Sequence, residues 1–411
     1  EGDKFHADVR EVDSAVFSPS GERLSQDFAG QIKLQNPSNR DRLWDIDLFI
    51  EGYQYTTLEG NEGVYHEALQ ELSKSSEHLI DYSASCPSVL TVREVIDTHP
   101  SIEGEDVQVI DSRAEISEIS VNIIISNNHT LAATDIVVQR TIPADMEMTV
   151  LDDSSAKISD QRLTWDISSI EPGQEAILQL TGSLSTLHVT PIDTGAISME
   201  YKVSTPISGL EVREVDAFCR GFGVMNIDQA DSPDEWNCQV RFQNKSTFAI
   251  DLTSLLVTNQ EDDHVLFDIE DISEDVIPEG TWLSESVTVS SVGQPKFNQD
   301  LGYTALPRLA TGSSGMAKME QMPVTVLDGK LTKSFEHPVL RSFVQEENVA
   351  TLSFRNEGSA VINRVTLFDD IPGLFHMPNT GSLRITVGGD ELTQDHWSAE
   401  ITEGQKIEQE K

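Results

Sequence analysis

The side chains best placed to do chemistry are carboxylates. Asp228, Asp231, Asp234 and Glu235 stand within one short stretch around Pro233. Oxygen ligands at that density suit a calcium ion, which takes about six to eight of them. The stretch lacks the ligand spacing and glycine of an EF-hand loop. A second acidic run extends from Glu261 to Asp275. The chain carries 28 Lys+Arg against 70 Asp+Glu, a formal charge of −42. In such a chain an acidic run is ordinarily solvated surface, so calcium at Asp228–Glu235 is weighed against that plainer reading.

Two sequons, Asn128-His129-Thr130 and Asn244-Lys245-Ser246, offer asparagines for glycans, or else simply serve turns. Of the three cysteines, Cys219 and Cys238 are close enough in sequence to pair, while Cys86 stands apart; free buried thiols are the competing reading. Ten histidines show no paired metal spacing, and no nucleophile elbow or phosphate loop occurs. Gly312-Ser313-Ser314-Gly315 reads as a flexible loop. The five tryptophans fall mostly inside strand patterns and read as core residues. The sequence therefore predicts no enzyme.

The negative charge repels phosphate backbones and anionic lipid, which excludes nucleic acid as a partner. No apolar run reaches the roughly 18 residues of a membrane-spanning helix, so no membrane insertion is expected. The chain opens on Glu1, which implies a trimmed N-terminus.

The elements that hold these residues read as repeats. Val9-Arg10-Glu11-Val12 recurs as Val92-Arg93-Glu94-Val95 and Val212-Arg213-Glu214-Val215. Each is followed by an alternating strand that stops at an asparagine: Asn36, Asn127 and Asn244, with a fourth at Asn356. The intervals of 91, 117 and 112 residues match a sandwich of about 100 residues. Ile170-Glu171-Pro172-Gly173-Gln174 in the second copy has counterparts in Ile277-Pro278-Glu279-Gly280 and Ile401-Thr402-Glu403-Gly404-Gln405. Residues 64–82 have a helix-like period, but the repeat register places Leu72 on Ile170 and predicts strand–turn–strand. In the fourth copy an alternating strand is expected over Val361, Val365 and Leu367, and the last strands of the sandwich are missing.

The fourth copy (Asn356-x-Gly358, strand, Asp369-x-Ile371-Pro372-Gly373) resembles the Ig-like repeat domain found in tandem in archaeal and bacterial cell-surface proteins. The second copy resembles it through Asn127, Ile142-Pro143 and Trp165…Ile170-x-Pro172-Gly173. It departs at His129-Thr130, where glycine is usual, and at Arg140-Thr141, where the aspartate sits. The resemblance implies surface display, tandem stacking and adhesion, and carries no catalytic residues.

The expected architecture is all-β: four tandem Ig-like β-sandwich domains (1–88, 89–208, 209–332 and an incomplete 333–411) in an elongated rod. The expected function is a non-catalytic extracellular structural or adhesive protein of a prokaryotic, archaeal envelope. It would be S-layer-like or filament-forming through sandwich edges as a homo-oligomer, with calcium as its one candidate ion. The alternatives are an intracellular adaptor with partner-binding sandwich edges, or the accessory region of a larger carbohydrate-active enzyme.

Overall fold

The computed structural model describes residues 3–100, 108–151, 155–185, 188–339, 347–371 and 379–402. The chain divides into two compact units, 1–360 and 361–411. The larger unit opens with β1 (Phe5–Phe17), β2 (Arg23–Gln35), β3 (Leu43–Glu51), β4 (Tyr65–Leu72), β5 (Glu77–Tyr82) and β6 (Leu90–Asp97). Then follow β7 (Val109–Asp111), β8 (Ile116–Asn127), β9 (Ala133–Thr141), β10 (Met146–Val150), β11 (Ala156–Ser159), β12 (Arg162–Ile170), β13 (Glu175–Ser185) and β14 (Ile197–Val203). The third stretch holds β15 (Glu211–Phe218), β16 (Gly221–Gln229), β17 (Glu235–Asn244), β18 (Ile250–Asn259), β19 (Val265–Ile269) and β20 (Glu274–Val276). It continues through β21 (Thr281–Leu283), β22 (Val287–Ser290), β23 (Phe297–Ala305), β24 (Pro307–Met319) and β25 (Thr325–Leu327), and β26 (Gly329–Phe335) and β27 (Ala350–Asn356) follow.

The strands form where apolar residues alternate. Val92 and Ile96 of β6, and Val121, Ile123 and Ile125 of β8, are buried at every second position, the period that faces one side of a strand to a core. The protein is all-β, and its sheets are open. The largest runs β11-β12-β9-β14-β24-β1-β2-β5, drawing strands from the first three repeats into one layer. The other main sheets are β10-β13-β8-β6, β15-β3-β4, β16-β17-β21 (with β22 also on β17) and β19-β18-β20 (with β23 on β18). A single apolar core runs from Phe5 through Ile123 and Leu252 to Val326, and a small second cluster forms around Val240, Leu255, Val257 and Phe267.

One strand joins the repeats. β24 lies parallel to β1, from Phe5 opposite Pro307 to Phe17 opposite Met319, and antiparallel to β14. This corrects the reading of Gly312-Ser313-Ser314-Gly315 as a flexible loop: it is the middle of a central strand. The small residues are there for close packing. A Cβ on Gly315 would fall on the Tyr201 ring, and Ser313 Oγ donates to Glu11 Oε2 (3.2 Å) and the Thr205 carbonyl (2.9 Å).

Residues 64–82 are strand–turn–strand as the repeat register required, with β4 and β5 flanking residues 73–76. The strand expected over Val361, Val365 and Leu367 is not formed; residues 361–371 carry no strand. In the second copy the equivalent β9 is held between β12 and β14, and among the described residues no strand lies beside 361–371. The smaller unit holds 3-10 turns at Thr380–Ser382 and Gln394–His396 and a hairpin of β28 (Thr386–Val387) and β29 (Asp390–Glu391). That hairpin turns on Gly388 and Gly389, both at positive φ (61° and 99°), as a two-residue turn requires. Pro372, Gly373 and the Glu403-Gly404-Gln405 counterpart lie outside the described residues.

Candidate functional site

The asparagine that ends each repeated strand is a structural clasp. Asn36 Nδ2 donates to the carbonyls of Asp41 (3.0 Å) and Leu72 (3.1 Å), while its Oδ1 accepts from the Ser38 amide (2.9 Å). Asn127 Nδ2 donates to Leu131 (2.8 Å) and Ile170 (2.9 Å), with Oδ1 accepting from His129. Asn244 Nδ2 donates to Phe248 (2.7 Å), Val276 (2.9 Å) and Ile277 (3.2 Å), with Oδ1 accepting from Ser246. All three are buried. Their backbone amides donate to the carbonyls of Ser76, Gln174 and Gly280, four residues beyond Leu72, Ile170 and Val276. One residue further on, Glu77, Glu175 and Thr281 open the next strand, opposite Gln35, Ser126 and Gln243. Each clasp thus fixes the register of an incoming strand.

The fourth clasp is half made. Asn356 Nδ2 donates to the Ala360 carbonyl (2.9 Å) and its Oδ1 accepts from Gly358 (3.1 Å), but among the described residues no distal carbonyl reaches it, and Asn356 is exposed. The preceding strand is in place. Gly329 stands opposite Asn356 as Gly221 stands opposite Asn244 and Leu90 opposite Asn127. What is absent among the described residues is the strand on the other side of β27, the place taken by β5, β13 and β21 with β22 in the complete copies. Leu331, Phe335, Leu352 and Phe354 share one face of this two-stranded sheet, and Leu331 is 50% exposed. A two-stranded sheet is marginal in water without further cover, and among the described residues this one gains no third strand.

The residues singled out from the sequence fall elsewhere. Asp228, Asp231 and Asp234 are exposed at the β16–β17 turn and Glu235 is half-buried. Among the described residues no three acidic, histidine or cysteine side chains come together as a metal site. Asn244 cannot carry the expected glycan in this fold, because its amide is buried in the clasp; Asn128 beside the Asn127 clasp is exposed. Cys219 and Cys238 do not form the expected disulfide; both are buried free thiols, and Cys86 is free as well. Burial pushes the Cys219 and Cys86 thiols up to about 11.

Composition could not show which acids go inside. Glu11 of β1 is buried and accepts from Tyr82 Oη (2.7 Å), the Ser208 amide (3.1 Å) and hydroxyl, and Ser313. This carboxylate is satisfied by hydroxyls and an amide drawn from three distant stretches. Its counterpart Glu94 is buried against Arg140, whose Nε lies 2.9 Å from Glu94 Oε1, out of line for a hydrogen bond. Burial pushes the Glu94 carboxyl up and the Arg140 guanidinium down, and each opposes the shift of the other. Asp41 accepts from the Thr247 amide (2.8 Å) and from Arg220, tying the first repeat to the third. The one signal that pointed to Glu11 and Glu94 was the recurring Val-Arg-Glu-Val.

No family model matches the chain, and no curated protein matches it. Solved structures similar to it include the Fcho1 Mu homology domain of Danio rerio with bound Eps15 peptide, at 9% identity over 78% of this chain and 98% of that one, with a TM-score of 0.37. The yeast delta-COP-I mu-homology domain matches at 10% identity over 79% and 97%, TM-score 0.27. The yeast domain complexed with the Dsl1 WxWxV peptide matches at 11% identity over 78% and 98%, TM-score 0.29. Scores this low assign neither a family nor an activity. Two of the three hold a bound peptide and none is a surface-layer protein. The expectation of an extracellular, S-layer-like or filament-forming adhesive protein at an archaeal cell surface finds no support in these comparisons and is not carried further.

Proposed function

We propose that the chain is a non-catalytic adaptor that takes an extended segment of a partner protein as an added strand on the edge of β27 opposite β26, where no described residue pairs. The observation that carries this reading is the half-made clasp at Asn356. Three copies of the same geometry show what belongs there: a backbone carbonyl for Asn356 Nδ2, another for its amide, and an antiparallel strand opposite Arg355. In such recognition the main-chain hydrogen bonds supply affinity, and alternate side chains supply specificity against a receiving face. Here that face is Leu331, Phe335, Leu352 and Phe354, so the partner segment carries apolar residues at every second position.

The three free thiols support a reducing compartment, where disulfides are rare. The count of four Ig-like modules, and their likeness to the prokaryotic Ig-like repeat, rest on the four asparagine clasps; the shared sheet makes the modules interdependent.

The test uses extended peptides selected by display against the whole chain. Their affinity is compared between the natural protein and a Leu331→Asp/Phe354→Asp double variant, with Val265→Asp on β19 as the control. The expected result is a loss of about tenfold or more in the double variant alone, about 1.4 kcal/mol. Equal affinity in all three would sink the edge reading.

A further inference from the structure

We infer that the outer face of β15-β3-β4 is a second binding site, one that seats an arginine side chain presented by a partner protein. The site is separate from β27 and does not depend on the edge reading.

The sheet register builds it. Glu214 of β15 stands opposite Phe49 of β3, which stands opposite His66 of β4; in the next row on the same face, Asp216 stands opposite Asp47 and Asp47 opposite Ala68. The Phe49 and His66 rings are stacked, with centroids 4.5 Å apart and planes 6° from parallel. Asp47 Oδ1 lies 2.6 Å from His66 Nε2 and fixes the imidazole beside the phenyl ring. Glu59, Glu62 and Val64, from the segment just before β4, wall this plate into an open groove of about 630 Å³. That volume is in the range of small-ligand sites, roughly 300–1,000 Å³, and exceeds one guanidinium. The arginine therefore arrives with flanking residues.

The charge of the groove points to the occupant. Its one cation, Arg213, is held at the rim by Glu51 at 3.5 Å. Among the described residues Glu59, Glu62 and Glu214 form no ion pair. Burial, then the like charges of Glu214 and Asp47, push the Asp216 carboxyl up, the condition of a face short of positive charge. No three of these groups converge as a metal site, so a compact ion is a poor fit. A guanidinium suits both features: its plane lies on an aromatic face, and its fork donates to two carboxylates at once. An ammonium meets the charge but not the plate.

The experiment titrates the full chain with a blocked glycine-rich peptide bearing one arginine, and with lysine and citrulline versions. Calorimetry gives the affinity, and the ring resonances of His66 report the place. The expected result is that the arginine peptide shifts the His66 signals, while the lysine and citrulline peptides bind at least several-fold more weakly. Phe49→Leu and Glu214→Gln should each weaken the arginine peptide about fivefold to tenfold, and Asp262→Asn/Asp263→Asn, in the distant acidic run, should leave it unchanged. Equal binding of lysine and arginine, an unmoved His66 signal, or equal losses in the control would overturn the assignment to this groove. The Leu331→Asp/Phe354→Asp variant should bind the arginine peptide normally, which separates failure here from failure at β27.

Discussion

At the scale of single residues, the four asparagines are the sharpest test of the repeat. Asn127 donates from its side-chain amide to the Ile170 carbonyl at a buried site. Replacing it with alanine strands buried acceptors, each costing about 1–3 kcal/mol. Chemical denaturation should therefore show Asn127→Ala and Asn244→Ala losing at least about 2 kcal/mol, whereas Asn356→Ala, exposed and half-engaged, should lose under about 1 kcal/mol. Equal losses in all three variants would mean that the fourth clasp is as complete as the others. Asp41 gives a pH signature. Burial raises its carboxyl, but the Thr247 amide and hydroxyl and Arg220 outweigh that and hold it below its usual 3.8. A carboxyl depressed in the folded state contributes stability that is full above its unfolded value and lost as pH falls through the folded one. An acid unfolding series should show Asp41→Asn less stable than the natural chain at neutral pH, with the gap closing below about pH 3.8. The Glu94–Arg140 pair should behave as a buried pair does. Arg140→Met alone should cost about 3–5 kcal/mol, because it leaves a carboxylate without its counter-ion, and adding Glu94→Leu should restore much of that loss.

At the scale of elements, much was legible and one strand was not. The asparagine-ended strands could be read because they repeat, and the same register turned the helix-like run at 64–82 into β4 and β5. β24 was missed because Gly312-Ser313-Ser314-Gly315 has the composition of a linker. Strand propensity describes residues that fill a half-buried surface, whereas here the surface is filled from outside by Tyr201 and Glu11. The glycines are not equivalent, and this can be checked. A Cβ on Gly315 would lie 1.8 Å from Tyr201 Cζ, while one on Gly312 would meet only the Val203 carbonyl at 3.8 Å. Thermal melts should show Gly315→Ala destabilised by about 1–3 kcal/mol and Gly312→Ala unchanged or slightly stabilised, by under about 1 kcal/mol. The groove on β15-β3-β4 was likewise hidden. Phe49, His66 and Glu214 lie on three strands, and nothing along the chain announces that β15 pairs with β3.

At the scale of the molecule, the local repeats do not stay local. One sheet collects strands from the first three, and the contacts of Glu11 and Asp41 cross the same boundaries. A sequence pattern can show that modules recur but not that they share strands, because pairing between distant segments leaves no periodic trace. In this setting the fourth copy stands out: among the described residues it has the asparagine, the preceding strand and an apolar face, and a third strand is not among them. The acid field of the chain, −42 overall, narrows the partners of the groove to basic ones and says nothing about the edge.

Whether β27 takes up a further strand is read by amide hydrogen exchange over residues 350–356, measured in the full chain alone and with a display-selected extended peptide. Fast exchange is expected in β27 while β8 and β17 stay protected, with a gain in protection in β27 when the peptide binds. Protection of β27 equal to that of β8 in the chain alone, or peptide binding that protects other strands and leaves β27 unchanged, would contradict it.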